Sequence, residues 1–81
     1  MSVGEQVRDF VHENFLFGDR NVTFDNSDSF IEKGIVDSTG VLELVSFVED
    51  RFNFTIHDEE IIPDNLDSIK NLTSFIEKKI N

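Results

Sequence analysis

The sequence predicts an all-α protein: a small four-helix bundle of three longer helices, a short third helix, and a long loop between helices 1 and 2. Three observations lead there. Apolar residues recur at three- and four-residue steps rather than in strict alternation, which is the spacing of helices with one buried face. A capping residue stands before the longer runs. The composition suits a folded domain, with 38% hydrophobic residues, nine Phe, one Pro and no Cys in 81 residues. A disordered acidic chain would be poor in aromatics. No internal repeat or low-complexity stretch interrupts the chain, so residues 1–81 are read as a single domain.

Ser2-Val3-Gly4-Glu5 reads as a capping box. Val3, Val7, Phe10, Val11 and Phe15 follow on one face, predicting a first helix over residues 3–16 that Gly18, Asp19 and Arg20 close. A connection rich in Asn, Asp and Ser runs on to Asp37, with Val22, Phe24, Phe30, Ile31, Ile35 and Val36 as expected anchors onto the core. Asp37 and Ser38 both suit the cap of a second helix. Its apolar residues are Val41, Leu44, Val45, Val48 and Phe52, widened by Leu42 and Phe47, while Glu43, Glu49 and Asp50 fall off the stripe. A short third helix fits His57 to Ile62, with Pro63 stopping it. Asp67 or Ser68 caps a fourth, which carries Ile69, Leu72, Phe75, Ile76 and Ile80. Lys78 and Lys79 stand in its last turn, where the helix dipole favours cations.

Charge narrows the function classes. Seven Lys and Arg against 17 Asp and Glu leave a formal charge of −10. Phosphate binding is carried by cations, so nucleic acid is a poor partner, as is an anionic membrane surface. Apolar runs are too short for a membrane span or a secretory signal, and a cytoplasmic, monomeric protein is expected. Without cysteine there is neither a disulfide nor a thiolate metal site.

Enzymatic chemistry finds little support. The only histidines, His12 and His57, read as surface or capping residues rather than catalytic bases. The four glycines (Gly4, Gly18, Gly34, Gly40) are scattered and form no phosphate loop. An EF-hand counted from Asp25 needs Gly and Glu where the chain has Phe30 and Val36, so the acids and amides of residues 25–29 are read as capping and solubilising the connection. The Asn-x-Thr matches at Asn21, Asn53 and Asn71 carry no weight without a secretory signal. The junction Gly34-Ile35-Val36-Asp37-Ser38 remains. It places a serine in the first turn of a helix, behind an apolar pair that pins the loop and beside backbone N–H groups that favour a phosphate. On these residues alone capping is the favoured reading, and a modified serine stays open beside it.

Phe30-Ile31-Glu32-Lys33-Gly34-Ile35-Val36-Asp37-Ser38 resembles the phosphopantetheine attachment region of acyl carrier proteins. The resemblance continues through Glu43-Leu44-Val45 and Val48-Glu49-Asp50-Arg51-Phe52 of the second helix, Ile56 to Pro63, and Asp67-Ser68-Ile69. It implies an acyl-carrier-protein-like bundle in which Ser38, flanked by Asp37, is esterified by 4′-phosphopantetheine from coenzyme A. A separate phosphopantetheinyl transferase would perform that step, and the arm's thiol would carry cargo as a thioester. It further implies that Glu43, Glu49 and Asp50 face basic patches on acyl- or aminoacyl-transferring enzymes. The protein itself would not be an enzyme.

Two positions depart from the family's pattern. Thr39 stands where carriers of fatty acid synthesis usually have Leu, and Gly40 echoes D-alanyl carriers. An acyl carrier is therefore the first expectation and an aminoacyl, D-alanyl or peptidyl carrier of a specialised pathway the second. An unmodified acidic helical adaptor is the rival from another class, and a weak calcium-binding module comes last.

Overall fold

The computed structural model describes residues 2–17 and 23–80, all helix, turn and loop, with no strand among them. Helices α1 (Val3–Asn14), α2 (Ser38–Phe52), α3 (Pro63–Leu66) and α4 (Ile69–Ile80) follow in order, with a 3-10 turn at Asp58–Glu60 before α3. Helix α1 packs along α4, and α3 folds onto α4. Val7 and Val11 of α1, Leu44 and Val48 of α2, and Leu72 and Ile76 of α4 meet in a core closed to solvent. Phe10 stacks on Phe47 with ring centroids 4.0 Å apart and joins α1 to α2 at the edge of that core.

The capping box forms as the sequence predicts, the Ser2 hydroxyl accepting from the Glu5 N–H at 3.2 Å. Helix α1 ends at Asn14, two residues before the expected end at 16. The N–H groups of Phe15 and Leu16 both turn back to the Val11 carbonyl, at 2.9 and 3.2 Å, which ends the regular ladder and swings Phe15 towards α2. Gly18, Asp19, Arg20 and Val22 lie outside the described residues.

Phe24, Phe30, Ile35 and Val36 anchor the long loop in the core, whereas Ile31, also expected as an anchor, is 52% exposed. The backbone explains the exception. Once Phe30 is buried the chain turns tightly: the Gly34 N–H reaches the Ile31 carbonyl at 3.1 Å, and the N–H groups of Ile35 and Val36 return to the Phe30 carbonyl at 2.9 and 3.3 Å. That turn needs φ of +71° at Gly34, which glycine adopts without a steric penalty. Ile31 is left at the outer corner, its N–H donating to the Asp67 carboxylate at 3.1 Å. Asp67 also accepts from the Ser29 hydroxyl, and its carbonyl accepts from the Phe30 N–H at 2.8 Å. The loop's polar backbone is thus satisfied against the α3–α4 junction.

Pro63 begins a helix rather than ending one. A helix over His57–Ile62 is replaced by the 3-10 turn, an extended Ile62 (φ −130°, ψ 154°) and then α3 with Pro63 in its first turn. Proline's ring disfavours helical backbone at the preceding residue. Its fixed φ and missing N–H suit the first helical position, where no intrahelical hydrogen bond is donated. At the start of α4 the cap is Ser68, whose hydroxyl accepts from the Asn71 N–H at 3.0 Å. Asp67 is committed to the loop.

Candidate functional site

Ile35 and Val36 are buried and deliver the chain to Asp37, the N-cap of α2. The Asp37 carboxylate accepts from the Gly40 N–H at 2.7 Å, and its carbonyl accepts from the Val41 N–H at 3.1 Å. Capping and an exposed serine are therefore compatible, because Asp37 takes the cap and leaves Ser38 free as the first residue of α2. Ser38 lies at the positive end of a 15-residue helix, where backbone dipoles favour an attached phosphate.

The serine opens onto an apolar cleft of about 200 Å³ between α2, the loop and α3, walled chiefly by Ile31, Val36, Val41, Ile61, Ile62 and Leu66. Its charged lining residue is Asp67, already engaged by Ser29 and Ile31. No histidine lines it. His57 is exposed at the cap position of the 3-10 turn, as expected, but His12 is half-buried with its ring 5.5 Å from Phe24 rather than on the surface. Among the described residues no group of His, Asp and Glu is arranged to hold a metal ion.

The three acids of α2 have different surroundings. Glu43 and Asp50 are exposed two helical turns apart on one face. Glu49 is half-buried, and its carboxylate accepts from the Ile56 N–H at 2.8 Å, tying the segment after α2 back to the helix. Near the 3-10 turn, the Glu60 carboxyl is held below its ordinary range. The Lys79 ammonium, 2.6 Å away, hydrogen-bonds to it, and the His57 N–H adds a second bond at 3.0 Å.

The cleft walls from α3 and the segment before it went unread in the sequence. Ile62 carried the usable signal: a residue preceding proline is disfavoured in a helix, and Ile62 is extended and lines the cleft. Exposed Phe17, at 86%, carried none.

A small bundle whose second helix opens with an exposed serine over an apolar cleft has the acyl carrier protein fold. The chain superimposes with a TM-score of 0.79 on the solution NMR structure of a holo acyl carrier protein from Nitrosomonas europaea, at 26% identity over 99% of this chain and 98% of that one. No protein-family model and no curated protein matches the sequence. The structural likeness supports a carrier role. No helix among the described residues is long and apolar enough to cross a membrane.

Proposed function

We propose that the protein is an acyl carrier whose Ser38 hydroxyl bears 4′-phosphopantetheine. The observation that carries this reading is the position of Ser38, exposed at the N-terminus of α2 and at the mouth of the apolar cleft. The residues present fit the group. The helix terminus favours its phosphodiester, and the cleft offers an apolar surface beside the attachment point. The arm would supply a thiol, which a chain without cysteine lacks. The one carboxylate lining the cleft, Asp67, is engaged by Ser29 and Ile31, in keeping with a phosphopantetheinyl transferase that brings its own base and takes the serine proton as the Ser38 oxygen displaces adenosine 3′,5′-bisphosphate from coenzyme A. Glu43 and Asp50, exposed on α2, would meet basic patches on that enzyme and on those that load and unload the arm.

The cleft also favours acyl over aminoacyl cargo. An alkyl chain entering it gains about 0.8 kcal/mol per buried methylene, whereas an ammonium group would lose its water against mostly apolar walls. Intact mass after incubation with coenzyme A, magnesium and a broad-specificity transferase tests the attachment. A gain of one phosphopantetheine is expected, absent in Ser38→Ala. No gain on folded wild-type protein would move the unmodified adaptor to first place. Hydroxylamine release from protein purified with its cargo, followed by mass identification, separates acyl from aminoacyl loads.

A further inference from the structure

Of the five large hydrophobic side chains exposed among the described residues, Ile31 and Ile62 line the serine's cleft, Leu42 follows one helical turn on, and Phe17 stands in a separate groove across the start of α2. Phe17 is the outlier. It is 86% exposed and holds a left-handed backbone, φ 53°, which is rare for a bulky residue. A side chain that gives the fold so little burial does not account for the conformation that holds it there. Phe17 shares a groove with Asp37, Thr39 and Glu43, and no cationic side chain among the described residues lines it. The result is an aromatic ring sharing one groove with two carboxylates, and with Asp37 and Thr39, the residues on either side of Ser38 in sequence.

We infer that Phe17 is a docking anchor for the phosphopantetheinyl transferase, inserting into an apolar socket rimmed by Lys or Arg. The inference rests on the carrier reading above and adds a contact to it. An enzyme that works on the Ser38 oxygen must cover the surface around it, and Phe17 is the largest apolar side chain exposed on that surface. Charge complementarity sets the rim, since Asp37 and Glu43 offer carboxylates to cations flanking the socket. An exposed aromatic ring buried on binding is a typical energetic centre of an interface.

The test compares wild-type protein with Phe17→Asn and Phe17→Leu in steady-state transfer from coenzyme A by a broad-specificity transferase. Asn tolerates left-handed backbone, so Phe17→Asn is expected to unfold at the same temperature as wild type or higher. Its KM should rise at least tenfold, about 1.4 kcal/mol, with kcat within twofold, while Phe17→Leu stays within threefold of wild type. Two outcomes overturn the inference alone: wild-type modification with an unchanged KM in Phe17→Asn, or a lower unfolding temperature for that variant, which would mean the ring packs into the fold. Absence of transfer to folded wild-type protein would overturn the carrier reading and the inference with it.

Discussion

Replacing Gly40 by Ala tests how the serine turn is built. In an exposed helix the exchange gains about 1 kcal/mol from propensity. Here an added Cβ would lie 2.8 Å from Phe15 Cε1, 3.1 Å from Val36 Cγ1 and 3.2 Å from Asp37 Oδ1. Val36 is 2% exposed and fixed by the core, and Asp37 is held by its bond to the Gly40 N–H itself. Phe15 must therefore yield. Moving it disturbs its edge-on contact with Phe10, centroids 5.8 Å apart, and the α1–α2 packing behind it. Overpacking of this kind costs about 1–3 kcal/mol, and disturbance of the cap adds to that. The expected net destabilisation is about 1–2 kcal/mol, a fall of roughly 4–8 °C in Tm for each kcal/mol in a domain this small. Thermal and urea unfolding followed by circular dichroism would measure it. In a Phe15→Ala background the shortest of the three contacts is gone while those to Val36 and Asp37 remain, so the same substitution should cost less than it does in the wild-type background. Gly40→Ala alone raising the stability by the full propensity gain would refute the packing argument.

Glu49→Ala removes the acceptor of the Ile56 N–H in a half-buried setting and should cost about 1–3 kcal/mol in urea unfolding; the exposed Asp50→Ala serves as the control that changes little. Lys79→Met should raise the Glu60 pKa towards its ordinary value, read by carboxyl NMR titration. Because the Glu60 pKa is lowered in the folded state, its ionised form stabilises the fold above the ordinary carboxylate value. That contribution is lost as pH falls through the lowered one, so Lys79→Met should flatten this part of the acid dependence.

The helices were legible in the sequence because their signals are local. The Ser2–Glu5 box, the α2 stripe through Leu44 and Val48, and the α4 stripe through Leu72 and Ile76 each depend on spacing alone. What escaped depended on partners distant in sequence. Ile31 counts as an anchor by hydrophobicity, yet Asp67, thirty-six residues away, fixes its N–H and leaves it at a corner. Asp67 and Ser68 were interchangeable as caps until the loop claimed Asp67. Pro63 was misread for a different reason, since proline both forbids a helix before it and favours one after it. Ser38 and Asp37 were legible as a cap from the residues alone; that the same turn forms the mouth of a cleft required α3, which the sequence reading placed on the wrong side of Pro63.

How a chain of net charge −10 folds around so few cations follows from where its carboxylates point. Two ion pairs are present among the described residues, Lys79–Glu60 and Lys33–Asp28. Six acids accept a backbone N–H, and only two of them, Asp28 and Glu60, are also ion-paired: Glu5 from Ser2, Asp28 from Asp25, Asp37 from Gly40, Glu49 from Ile56, Glu60 from His57 and Asp67 from Ile31. Those amides lie at helix starts, in turns and in the segments between helices, where the backbone lacks a ladder partner. Carboxylates in these places do structural work without requiring a cation. Glu43 and Asp50 are exposed on α2 and available to an approaching partner. Salt separates the two sets physically: a Debye length of about 8 Å weakens long-range steering by the exposed pair, while the carboxylate–amide hydrogen bonds act at contact distance. The acidity that, on the carrier reading, would draw basic enzymes to the serine can therefore be screened without dismantling the turn that presents it.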